Sequence, residues 1–215
     1  MKTKIEAIKI IHDCAALYRN NLTGKKLLFI TIRNNGVASF ESLFMPRNFL
    51  HLTGVATRLN GDLFYQAAVN NRLSTSDVTL ATDGKTEQKL AILPQLMSIH
   101  YTARMVGDYD NSRPLLIADK FAGTVTTAMG FINMNGIYIP NTALKLDVRE
   151  ITAHATRHRI AAIFIKPRDD DLYKRLTYIA KGITIDDAAI SVILQEKVNM
   201  ANLIADFPIP KKTIG

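Results

Sequence analysis

The run FLHLTG at residues 49–54 sets one imidazole, His51, between two leucines, with the Thr53 hydroxyl two positions on and Gly54 closing the run. Histidine takes up or releases a proton near neutral pH, its unperturbed pKa being about 6.5. A threonine hydroxyl donates and accepts, so Thr53 is a candidate to orient the ring or hold an anionic oxygen. A histidine between Leu50 and Leu52 equally suits a core position, and the residues alone leave both readings open. Arg113 and Lys120 bracket RPLLIADK and are candidates for stabilising negative charge. Arginine forks onto two oxygens of one anion, and lysine acts as a compact point charge. Asp108 and Asp119 are the competing partners for these cations, in pairs that contribute little if exposed. His100, beside Tyr101, is a second-choice proton carrier.

Lys145, Arg149 and Lys166 recur near the ends of later β-type runs, and with Lys181 they form a candidate basic track. The formal charge is +8. Such an excess attracts polyanions and speeds their encounter with the protein, which makes nucleic acid a natural partner. Tyr101, Tyr109, Tyr138, Tyr173 and Tyr178 are candidates for stacking on unpaired bases. Tyr138 alternates with Ile137 and Ile139, so a strand core suits it as well.

HATRH at residues 154–158 places two histidines at i and i+4, a spacing that grips a metal from one helical face. No acidic or thiol partner stands at a matching distance along the chain, so neither a metal nor another cofactor is expected. No Gly-rich phosphate loop, GxSxG elbow or HExxH helix is present. Cys14 is the sole cysteine. Its isolation rules out an intrachain disulfide and a thiolate zinc cluster, and favours a reducing, cytoplasmic setting. Charges interrupt MKTKIEAIKIIHD, and no later run has the uncharged length of a membrane span, so no membrane association is expected.

These groups need elements to position them. Ala7, Ile8, Ile11, Cys14, Ala15 and Tyr18 recur at three- and four-residue steps, which predicts an amphipathic helix from about Thr3 to Asn20 covering a sheet. His12 falls beside that stripe. LLFITIR and VASFESLF flank Asn34-Asn35-Gly36 and predict a hairpin. Further helices are expected over Asp62–Asn70 and Thr86–Met97, the latter bent or split at Pro94. MVGDY, RPLLIADKFAG, TVTTAMGFINM, GIYIPN and RIAAIFIKP are short β-type runs between Gly, Pro, Asn and Asp, and predict an antiparallel meander with a second hairpin turn at Asn135-Gly136. Thr142–Thr152 reads as a short helix or loop crossing the sheet. Asp186–Asn202 is expected to be helical, and PIPKKTIG is a basic tail. The fold class is thus α+β: amino-terminal helices on an antiparallel β-meander, as one domain over residues 1–183, followed by a carboxy-terminal helical extension over 184–215.

Taken in order, FLHLTG, LSTSD with DGKTEQKLAILPQLM, RMVGDYDNSRPLLIADK, MGF, YIPNTALKLDVRE, AIFIKP and LTYIAKGI resemble the phage-associated nucleases of the barnase, EndoU, colicin and RelE-like (BECR) fold, in their fourth subgroup. The resemblance covers roughly Phe49 to Ile183. It implies a metal-independent ribonuclease core in which helices pack on an antiparallel sheet whose exposed face binds substrate. RNA carries its own nucleophile, the 2′-hydroxyl, so cleavage needs a proton acceptor, a proton donor and fixed positive charge. Under this resemblance His51 takes the proton role, Thr53, Arg113 and Lys120 complete the catalytic set, and Lys145, Arg149, Lys166 and Lys181 follow the RNA. The expected protein is a phage or mobile-element effector or toxin, restrained by an acidic inhibitor or immunity protein. The competing reading is a binding module for nucleic acid or a host protein on the same fold.

Overall fold

The computed structural model describes residues 2–33, 36–113, 115–186 and 188–206. The protein is α+β. Helix α1 spans Lys4–Asn21 and opens on a reciprocal cap, in which the Thr3 hydroxyl accepts from the Glu6 amide and the Glu6 carboxylate accepts from Thr3. The six apolar residues of its stripe are all buried, and burial pushes the Cys14 thiol up to about 12, which leaves it inert. His12 is partly buried at the edge of that stripe. Strands β1 (Lys25–Arg33) and β2 (Gly36–Phe44) pair antiparallel from Lys25↔Phe44 to Arg33↔Gly36. Their Asn34-Asn35 turn lies outside the described residues, as does the PIPKKTIG tail.

Four helices follow: α2 (Asn48–Thr53), α3 (Gly61–Val69), α4 (Lys85–Leu96) and the short α5 (Ile99–Thr102). α4 runs through Pro94 and stops two residues later, so the proline sits in the last turn without splitting the helix. Strands β3 (Met105–Asp108), β4 (Lys120–Gly123), β5 (Ala128–Met134) and β6 (Ile137–Leu144) form the expected antiparallel meander. Asn135 and Gly136 both have positive φ, at 55° and 88°, as a tight turn between β5 and β6 requires. Two 3-10 turns, Val148–Glu150 and His154–Thr156, interrupt the crossing to β7 (His158–Pro167), which pairs with β8 (Arg175–Ile179). Then come α6 (Ala188–Lys197) and the two-residue β9 (Ile204–Ala205).

The sheet differs from a plain meander in three respects. Its order is β1-β2-β6-β5-β4-β3-β7-β8-β9, and β1 also pairs with β7, so that seven strands close into a ring from which β8 and β9 extend. The β2–β6 and β8–β9 pairings are parallel, where antiparallel neighbours were expected throughout. RPLLIADK is not one strand: residues 115–119 form a loop with Leu115 96% exposed, and Lys120 begins β4 instead of ending a strand. Hydropathy marked the run as β-type, but a strand also needs partners for its backbone groups, and only Asp119 at its end finds them, donating to the Phe131 carbonyl and accepting from the Tyr109 amide, while residues 115–118 join no ladder.

The faces of β1 and β7 are both buried. Leu27, Phe29, Ile163 and Ile165 join the core shared with α1, α3 and α4. Leu28, Ile30, Ala162 and Phe164 join a second core with Ile190 and Leu194 of α6. The open sheet face expected of this architecture is therefore covered at these strands, with Ile190, Leu194 and Val198 packed against it. A third core under the crossing segment gathers Tyr109, Phe121, Ala128, Val148 and Ile151. Among the described residues no helix is long and apolar enough to cross a membrane.

Candidate functional site

α2 has Phe49, Leu52 and Thr53 on its buried side, at i, i+3 and i+4, which turns His51 to the exposed side. The helix ends at Gly54 in the left-handed region, φ 71°. Glycine is required there twice over. A Cβ would also stand 2.7 Å from Lys89 Cδ, because α4 crosses against this point. The Thr86 hydroxyl locks the crossing by donating to the Gly54 carbonyl and accepting from the Ala81 amide.

That crossing sets Lys89 beside His51. Lys89 Nζ donates to the His51 carbonyl at 2.9 Å and to the Thr142 hydroxyl of β6 at 3.2 Å, so one ammonium ties α2, α4 and β6 together. An ammonium has three donors, and these two acceptors leave one. Burial, and then the Lys85 charge one turn away, bring the Lys89 pKa down to about 8. His51 is held below its ordinary 6.5, first by partial burial and then by the Lys89 charge. At neutral pH the imidazole is therefore neutral and the ammonium is charged, with its proton more weakly held than that of an ordinary lysine.

Two cavities meet at Lys89. One, of about 480 Å³, is lined by Leu50, His51, Val55 and Ala56, with Thr79 and Leu80 across from them. The other, of about 590 Å³, is lined by Leu115, Leu116 and Leu144 and carries Lys85, Arg113 and Lys145. Both lie in the size range of ligand sites, about 300–1,000 Å³. The Arg113 backbone is fixed: the Tyr109 hydroxyl donates to its carbonyl at 2.7 Å and accepts from its amide at 2.8 Å. The cleft thus gathers a neutral imidazole and several cations around two hollows. Such a set can accept a proton and oppose negative charge on an anion lying across Lys89.

Of the sequence-predicted residues, His51, Arg113 and Lys145 line these cavities. Others stand elsewhere. Thr53 is fully buried, and its hydroxyl donates to the Leu50 carbonyl at 2.8 Å, so it finishes a helix instead of facing an anion. Lys120 pairs with Asp108 and rests over the Phe40 and Tyr138 rings, at 5.9 and 5.6 Å. Lys166 is buried, with its ammonium on the carbonyls of Asp170 and Asp171 at 2.7 Å each and over the Tyr173 ring. Arg149 is held by Asp147 through two contacts from Nε, at 2.9 and 3.0 Å. Lys181 is exposed, and its carbonyl accepts from Arg159 at 2.7 Å. His100 is 3% exposed, with a pKa lowered to about 4 by burial and then by Lys25 and Arg175, so it stays neutral through the range in which it would have to exchange protons. His154 lies on a 3-10 turn and His158 begins β7, so the two share no helical face. Tyr109 and Tyr173 are buried in cores.

Sequence reasoning passed over Lys89. The signal was present in DGKTEQK: Lys85 and Lys89 at i and i+4 put like charges on one helical face, an unfavourable pairing without a structural reason. Thr142 gave no signal, because only the β6 register brings its hydroxyl to Lys89.

A family model described as phage-Barnase-EndoU-ColicinE5/D-RelE like nuclease4 matches residues 10–182. No curated protein matches the chain, and no solved structure does.

Proposed function

The chain belongs to the phage-associated Barnase, EndoU, Colicin E5/D and RelE-like nucleases, fourth group, and on that premise we propose that it is a metal-independent endoribonuclease working from the His51–Lys89 cleft. The observation that carries this reading is the seat of Lys89. Its ammonium lies between His51 and Thr142, where two cavities with further cations meet. A phosphodiester placed there has a proton acceptor on one side and positive charge on the other.

In this reading neutral His51 accepts the proton of a 2′-hydroxyl as its oxygen attacks the adjacent phosphorus. The O2′–P bond forms, and the P–O5′ bond breaks. Lys89 turns its remaining N–H to the departing 5′-oxygen and passes it that proton, while its charge opposes that on the phosphoryl oxygens, leaving a 2′,3′-cyclic phosphate and a 5′-hydroxyl. Arg113 and Lys145 hold flanking phosphates. The roles proposed for Lys120, Lys166 and Arg149 pass to these cleft cations, because internal partners occupy those three. A strongly basic cleft also suits an acidic inhibitor acting as a plug, in keeping with a phage-borne effector or toxin working in a reducing cytoplasm.

The test is digestion of RNA by metal-free protein with chelator present, and analysis of the new ends. Cyclic phosphates that vanish with His51→Ala are the expected result. Cleavage that requires an added divalent ion, or that survives in His51→Ala, would overturn the mechanism. Affinity for RNA without cleavage would leave the protein a binding module.

A further inference from the structure

Lys89 sits in a pose that suits its neutral form as well as its charged one. Its stem is seated against Gly54, where an added Cβ would stand 2.7 Å from Cδ, and Nζ donates to the His51 carbonyl at 2.9 Å and the Thr142 hydroxyl at 3.2 Å. An ammonium has three N–H donors, and an amine has two with a lone pair in the remaining tetrahedral position. Loss of one proton therefore leaves both internal hydrogen bonds in place. Lys89 lines cavities of about 480 and 590 Å³, so the freed lone pair has room for a second molecule beside it. Lys166 makes the same two-acceptor seat, but its Nζ lies 4.7 Å from the centre of the Tyr173 ring, and Glu41, Asp171 and Asp170 oppose loss of its proton. A desolvated lysine amine next to another cation is an activated nucleophile. The rim selects what reaches it: Lys85 is held by Asp83 at 2.6 Å, while Arg113 and Lys145 line the larger cavity and favour an electrophile that carries a phosphate.

We propose that Lys89 is a covalent modification site for small acyl phosphates, and that acylation there switches the cleft off. The amine attacks the carbonyl carbon of the acyl phosphate. The N–C bond forms, the bond from that carbon to the phosphate oxygen breaks, and the nitrogen's surplus proton leaves with the phosphate, giving an amide and hydrogen phosphate. An acylated Lys89 has no charge and one N–H, so it can no longer hold both the His51 carbonyl and Thr142. The acylation stands on the geometry of this seat; its effect as a switch rests on the cleavage reading above.

The experiment treats the folded full-length protein with acetyl phosphate and follows each lysine by peptide mass mapping. At about pH 7.5 a lysine of pKa about 8 holds on the order of a hundredfold more neutral amine than an ordinary one near 10.4. Lower basicity weakens the nucleophile, so Lys89 should be acetylated at least about tenfold faster than the exposed Lys9 and Lys181, with Lys166 unmodified. Inorganic phosphate, or Arg113→Gln with Lys145→Gln, should slow the reaction at Lys89 with acetyl phosphate and leave it unchanged with the uncharged reagent N-acetoxysuccinimide. An unaltered unfolding midpoint is the check on folding of the double variant. Acetylation of Lys89 no faster than of Lys9 would overturn the site, and indifference to phosphate and to the double variant would overturn its selectivity for acyl phosphates. Cleavage of RNA is scored separately, before and after modification. If the unmodified protein leaves RNA intact while Lys89 is acetylated first, the cleavage reading fails and the modification site stands. If the protein cuts RNA and Lys89 is inert, the site fails and the cleavage reading stands. Full cleavage by protein acetylated at Lys89 would overturn the switch.

Discussion

Lys89 and Lys166 stand in the same immediate company and in opposite surroundings. Each ammonium is drawn from water and donates to two internal oxygens, the His51 carbonyl and Thr142 hydroxyl in one case and the Asp170 and Asp171 carbonyls in the other. Burial lowers both pKa values. Around Lys166 the Lys26 charge lowers it further and a cavity of about 180 Å³ opens beside it, but Glu41, Asp171 and Asp170 act to restore the charge, and the Tyr173 ring covers it. Lys89 has Lys85 as its next neighbour and a cavity on either side. A buried, hydrogen-bonded lysine is therefore no sign of a site. What separates the two is whether the rest of the environment supplies the counter-charge or leaves it to a ligand.

The sharpest way to break this contrast begins beside it. His51→Ala should lower RNA cleavage by about two to four orders of magnitude, with an unchanged unfolding midpoint because the residue is exposed. Next, Lys89→Met should cost about two to three orders in rate, on the scale of losing one preorganised donor. The matching change at Lys166 should act on stability instead, lowering it by about 1–3 kcal/mol as two carbonyls lose their donor, with the cleavage rate of the folded protein kept. Full folding and lost cleavage in Lys166→Met would erase the distinction.

The pH profile sharpens it further. His51 must be neutral and Lys89 charged, so the rate should climb as pH rises through a value below 6.5 and fall as pH passes about 8. Lys89→Arg, which stays protonated, should be about as slow as Lys89→Met because Lys89 delivers the proton in the proposed reaction, and retained cleavage without the alkaline limb would reduce its role to charge. The smallest effect is expected at Gly54. Alanine there meets a left-handed φ and the Lys89 stem, so stability should fall by about 1–2 kcal/mol, with cleavage reduced several-fold as Lys89 shifts. Thermal unfolding and initial rates on one preparation separate the two contributions.

Local pattern carried much of this architecture. The stripe of α1 was legible because helical periodicity requires it, and the β5–β6 turn because Asn-Gly accepts positive φ. RIAAIFIKP also advertised its fate: an unbroken apolar run suits a strand buried on both faces, as β7 is between two cores. The ring was not legible, because β1 and β7 meet across more than half the chain. Nor was the seat of Thr53, since the sequence gives its distance from His51 and not the side of the helix it takes. His51 and Arg113 were read from residue type. What united them was Lys89, whose meaning depends on the crossing of α4 over Gly54, a contact no local window contains.

The closed sheet also bears on how copies of this protein meet. Unpaired strand margins invite backbone-to-backbone association. Among the described residues the ring pairs each of its seven strands on both sides, but β2 meets β6 through only two residue pairs, and beyond β8 the sheet ends in β9, only two residues long. The main-chain template left for stacking between crowded molecules is therefore short: the part of β2 ahead of Glu41 and the outer edge at β9.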